Sequence, residues 1–80
     1  MPTGKIKWFH VARGYGFISP DAIFAEDGEV DVFLHFSQLE KLGIIPKTRW
    51  DVEGMNLRYD IKLDSKGRKV AENISIIETS

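Results

Sequence analysis

Eighty residues, 42% hydrophobic and 29% charged, suffice for one small domain with one core and hardly for two. With no cysteine the chain carries neither a disulfide framework nor a thiolate zinc site, a composition that suits the reducing cytoplasm; no apolar run approaches the roughly 20 residues of a membrane-spanning helix, and residues 1–7 predict no signal peptide. Eleven Lys and Arg against twelve Asp and Glu leave a net charge of −1, which taken alone lowers the expectation of a nucleic-acid binder, since such domains are commonly basic. The charges are unevenly spread, however. Residues 1–20 carry only Lys5, Lys7 and Arg13, a local sum of +3, and residues 21–31 carry Asp21, Glu26, Asp27, Glu29 and Asp31, a local sum of −5.

In chain order, residues 5–10, 15–19 and 30–36 are rich in β-branched and aromatic side chains at strand length, separated by Gly14, by Pro20 and by the acidic stretch. Ser37 with Glu40 three residues on reads as a capping box that starts a short helical turn, and Gly43 ends it. Residues 43–53, with Pro46, read as loop. Residues 55–63 form the clearest strand: Leu57, Tyr59, Ile61 and Leu63 alternate with Arg58, Asp60 and Lys62, so that the first set is expected to face the core. Residues 64–67 carry turn chemistry, and a last strand follows over 70–77 with Ile74 and Ile76 on one face. One domain from about residue 3 to residue 77, with a short polar tail, is therefore expected. Its five short antiparallel strands and single helical turn predict an all-β fold closed into a small barrel, which removes the exposed edges an open sheet would present.

Alternation then raises a question of function. Tyr15 and Phe17 share one face of the second strand, and Gly16 and Ile18 the other. In the third strand Phe33 and His35 share one face, opposite Val32, Leu34 and Phe36. Any one of these rings alone would be read as core. Taken together, burying Tyr15, Phe17 and Phe33 would expose Ile18, Val32 and Leu34, so the rings and His35 are expected to point outward. Trp8 and Phe9 are consecutive and cannot both face the core, so one of them extends the outward row. Flat rings on a sheet suit the stacking of successive unpaired bases, with nearby cations such as Lys5, Lys7 and Arg13 tracking the phosphates. Gly14 and Gly16 do not extend to a dinucleotide fingerprint, because Ser19 stands where a third glycine would be needed.

These segments resemble the cold-shock domain. Residues 4–9, Gly-Lys-Ile-Lys-Trp-Phe, are similar to its first strand; Arg13-Gly14-Tyr15-Gly16-Phe17-Ile18 to its first ribonucleoprotein motif; and Asp31-Val32-Phe33-Leu34-His35-Phe36-Ser37 to its second. The downstream position of the second motif, and the single helical turn, separate the chain from RNA-recognition motifs. The resemblance implies an oligonucleotide-binding (OB-fold) barrel of five strands that binds single-stranded DNA or RNA, often pyrimidine-rich, with low sequence discrimination. It further implies RNA-chaperone activity or cold-shock regulation of transcription or translation, by a cytoplasmic monomer without metal or cofactor. Carried over position by position, the binding surface would comprise Lys7, Trp8, Phe9, His10, Arg13, Tyr15, Phe17, Asp31, Phe33, His35 and Phe36, with Asp31 accepting a hydrogen bond from a base edge. His10 stands where the family has asparagine and Arg13 where it has lysine. The 19–30 connection is longer and more acidic than a minimal version, and Trp50 is open to two readings, a cap on the bottom of the barrel or a ligand contact. Two rival functions are a nuclease or hydrolase, disfavoured because His10 and His35 lack an evident carboxylate partner set, and a barrel whose aromatic patch binds a peptide.

Overall fold

A computed structural model describes residues 2–21 and 31–77. The strands are β1 (Thr3–His10), β2 (Tyr15–Pro20), β3 (Val32–His35), β4 (Asn56–Leu63) and β5 (Lys69–Ile76), with a helix α1 (Phe36–Lys41) after β3 and a 3-10 turn (Arg49–Asp51) before β4. They close into a barrel in the order β1-β2-β3-β5-β4. The expected five-stranded barrel is thus formed. Its pairings are antiparallel except that of β3 with β5, which runs parallel with Phe33 opposite Val70.

The core is what the alternation of β2 and β3 requires. Ile18, Val32 and Leu34 are wholly buried, together with Ile6, Phe9, Leu39, Val52, Leu57, Tyr59, Ala71 and Ile74. Each large apolar side chain so enclosed contributes about 1.5–3 kcal/mol. Gly16 lets β1 and β2 approach closely enough to seal this core: a Cβ there would fall against the Trp8 carbonyl oxygen and the Phe9 ring. Gly14 closes the β1–β2 turn at φ +73°, a conformation that side-chain-bearing residues rarely adopt.

Two irregularities shift the faces of strands. In β1, Ile6 lies opposite Ile18 and Trp8 opposite Phe17, so one extra residue is accommodated around Lys7. Lys7 and Trp8 therefore both lie on the outer side, and Phe9 returns to the core. In β5, Arg58 lies opposite Ser75 and Asp60 opposite Glu72, and the extra residue is taken up where Asn73 adopts φ +50°. Ala71 and Ile74 are buried as a result, and Ile76, expected beside Ile74, is exposed.

Several expectations are corrected. Ile61 and Leu63 continue the alternation of Leu57 and Tyr59 but are 41% and 62% exposed. β1 pairs with β4 only through Asn56–Arg58, so the far half of the β4–β5 hairpin extends beyond that pairing, and there Ile61 and Leu63 are left exposed among the described residues. Ser37 is not the N-cap of α1. His35 takes that position, and its Nδ1 accepts the Ser37 N–H at 3.1 Å. Gly43 does end the helix, at φ +76°, with its N–H bonded to the Glu40 carbonyl. The segment read as loop holds the 3-10 turn, braced by Asp51, whose carboxylate accepts the N–H of Lys47 at 2.9 Å and of Thr48 at 3.0 Å. Those bonds, the Thr48 one foremost, hold its carboxyl below the usual carboxylate range. The long connection between β2 and β3 falls, over 22–30, outside the described residues.

Candidate nucleic-acid interface

The outward faces of β1, β2 and β3 bring Trp8, Tyr15, Phe17 and Phe33 into one contiguous layer. Tyr15 lies across from His35 and Phe17 across from Phe33, so each ring on β2 has a ring on β3 as its in-register neighbour. Trp8 meets Phe17 at 5.3 Å between centroids and Tyr15 at 5.8 Å. Phe33 stacks on Tyr15 at 5.6 Å and 20°, and meets Phe17 edge-on at 5.8 Å and 81°. His10 continues the layer, nearly parallel to Tyr15 at 6.4 Å. Such offset and edge-to-face pairs add about 0.5–1.5 kcal/mol each beyond area burial, so the rings hold one another in place before any ligand arrives, which lowers the entropy lost on binding.

Polar groups frame this layer. His35 is exposed, and because Nδ1 accepts the Ser37 N–H, its neutral ring carries the proton on Nε2 and presents a donor. His10 is arranged alike, with Nδ1 accepting the Arg13 N–H at 3.2 Å. Lys7 reaches along the side of the layer to Asp31, Nζ to Oδ2 3.2 Å, so the cation offered to phosphate and the carboxylate offered to a base edge are paired with each other. Arg13 is exposed in the β1–β2 turn. Phe36 is half-buried, packed on the core at the rim of the face, with its N–H bonded to the Gly14 carbonyl.

Phe9 is the candidate that this arrangement does not bring to the surface. Its ring is 2% exposed and belongs to the core, because the bulge in β1 gives the outward position to Trp8. Other residues join the interface that sequence reasoning did not include. A cavity of about 440 Å³ next to Phe17, Asp31 and Phe33 is completed by Gly67, Arg68 and Lys69, brought there by the parallel pairing of β3 with β5. The signal for them was the cationic run 66–69 beside the turn, which has no visible relation to Phe33 until the barrel is closed. Trp50, left open between capping and ligand contact, caps nothing: it is 75% exposed, with the Arg49 guanidinium 5.4 Å from its ring centroid.

Comparison with known proteins agrees with this geometry. The family model described as the 'Cold-shock' DNA-binding domain matches residues 2–77. Cold shock protein CspA of Rhizobium meliloti (strain 1021) is 43% identical over 75 residues, covering 92% of this chain and 96% of that protein. Cold shock-like protein CspE of Escherichia coli (strain K12) is 38% identical over 73 residues, 91% of this chain and 93% of that protein. Probable cold shock protein A of Mycobacterium tuberculosis (strain ATCC 25618 / H37Rv) is 36% identical over 67 residues, 84% and 87% of the two chains.

Proposed function

The chain belongs to the cold-shock DNA-binding domain family, and from that premise we propose that it binds single-stranded DNA or RNA by stacking successive bases on Trp8, Tyr15, Phe17 and Phe33. The observation that carries this reading is the inversion of β2 and β3: small and aliphatic residues fill the barrel, and the rings cover its outside. An exposed aromatic layer of this kind lowers solubility unless it has a partner, and unpaired bases match it in shape and polarity. Lys7, Arg13 and Arg68 supply cations for the backbone. His10 and His35 present Nε2–H donors, and Asp31 an acceptor for a base edge.

Stacking reads π-faces and not sequence, so the ligand class is broad, with pyrimidine-rich strands accommodated. Transient coating of unpaired RNA would make the chain an RNA chaperone or a regulator of transcription or translation, acting as a cytoplasmic monomer. It binds without catalysing. The two histidines each spend Nδ1 on a local backbone N–H, which is an arrangement for orienting a donor and not for activating a nucleophile.

Titration of tryptophan fluorescence with a short thymine-rich single strand tests the reading. Quenching is expected, with weaker binding of duplex of the same sequence. Phe33→Ala is expected to weaken binding by about 1–3 kcal/mol while circular dichroism stays unchanged. An unaltered affinity in that variant overturns the stacking assignment.

A further inference from the structure

Among the described residues Trp50 is an exposed aromatic side chain that the ring layer leaves unused, and it has a partner in Arg49. The Arg49 guanidinium at its ring also pairs through Nε with Glu53 Oε2 at 2.8 Å. The same Glu53 oxygen accepts the Phe9 N–H at 3.2 Å. With Asp51 bracing the turn from within, an unbroken series of contacts runs from the indole to the backbone of β1.

It reaches β1 at a particular place. β4 pairs with Thr3, Gly4 and Lys5, and Ile6 bonds on to Met55 and Gly54, so that on this side residues 7–10 have no strand partner and face the 3-10 turn, with the Phe9 N–H given to Glu53. Between them lies a groove of about 380 Å³, lined by Trp8, His10, Ala12, Thr48, Arg49 and Trp50. Trp8 is common to both sites: it meets Tyr15 and Phe17 in the ring layer and forms part of the groove wall.

We propose that Trp50 and Arg49 form a second stacking station, which seats a further base of the same single strand after it leaves Trp8 and crosses the edge of β1. The occupant is argued from continuity, since the groove and the ring layer share Trp8 and His10. It is argued also from charge. Arg49 has given Nε to Glu53 and retains its terminal N–H donors for a phosphate, and the two acids of this segment are already engaged, Glu53 by Arg49 and the Phe9 N–H and Asp51 by the Lys47 and Thr48 N–H groups. The proposal rests on the reading of the ring layer as a single-strand platform, and it makes strand length the variable that separates the two sites.

The test is a series of thymine oligomers graded in length, titrated against the full chain, Trp50→Ala and Phe33→Ala. Phe33→Ala is expected to lose affinity at every length. Trp50→Ala is expected to lose roughly 5- to 150-fold, and only for oligomers long enough to pass Trp8. The chain has two tryptophans, so Trp8→Phe leaves Trp50 as the sole indole reporter, and its emission should change with the long oligomers and not with the shortest that bind. A Trp50→Ala variant that binds long oligomers as tightly as the full chain, or that loses equally at all lengths, overturns the station while leaving the platform intact. Absence of oligomer binding by the full chain would overturn the platform itself.

Discussion

Tyr59 is wholly buried, and its hydroxyl is the buried side-chain polar atom that finds no hydrogen-bond partner among the described residues. Burial, and then the nearby charge of Asp21, push its pKa above the ordinary phenol value. A folded pKa above the unfolded one means that the fold favours the neutral phenol. The stability tied to this group is complete at neutral pH and is lost as pH climbs from about 10 toward the folded value. Tyr59→Phe removes an orphan hydroxyl whose desolvation costs about 1–3 kcal/mol. The variant is expected to be at least as stable as the parent in urea at pH 7, and to lose less stability between pH 9 and pH 11, about one unit either side of the phenol's ordinary value. A loss of stability at pH 7 would mean that the hydroxyl does useful bonding. Period-two alternation was enough to put Tyr59 with Leu57 in the core. The partnerless hydroxyl was not legible, because it depends on what the rest of the barrel brings to one atom.

At the level of elements, the β4–β5 hairpin is held at its turn by one carboxylate. Asp64 accepts the N–H of Lys66 at 2.9 Å and of Arg68 at 2.8 Å, and pairs with Arg68 Nε at 2.9 Å. These bonds, the Arg68 N–H foremost, hold its carboxyl below the usual carboxylate range. A depressed folded pKa stabilises above the unfolded value near 3.9 and ceases to do so as pH falls through the folded one. Asp64→Ala should therefore lower the Tm at pH 7, and the gap from the parent should narrow when both are melted near pH 3, where the unfolded-state carboxylate is already largely protonated. An equal gap at both pH values would assign the effect to backbone propensity alone. Elements were the best-read level of the sequence: all five strands and the helical turn lie where alternation and turn residues put them. The extra residue at Lys7 and the one near Asn73 are set by how a strand meets its neighbour, and a pattern read along one strand does not contain the neighbour; the N-cap at His35 is instead local, its ring accepting the Ser37 N–H.

For the molecule as a whole, a net charge of −1 provides little long-range field, so binding is expected to draw on stacking together with a few local cations. Each phosphate neutralised on a single strand steepens the fall of log K with log salt by about 0.7. Arg68→Ala should flatten that slope by about this amount, measured by fluorescence titration at several salt concentrations; an unchanged slope removes Arg68 from the phosphate path. That residue could be placed beside Phe33 only by the parallel pairing of β3 with β5, a contact between parts of the chain more than thirty residues apart. The barrel is shut by that pairing and by β1 on β4, and both joints lie at the margins of the β1–β2–β3 meander that carries the rings. The strands that close the barrel thus carry none of the four rings of the layer, yet Phe33 lies opposite Val70, and Leu57, Tyr59, Ala71 and Ile74 share the core with Ile18, Val32 and Leu34, so the lock is also the footing on which the rings stand.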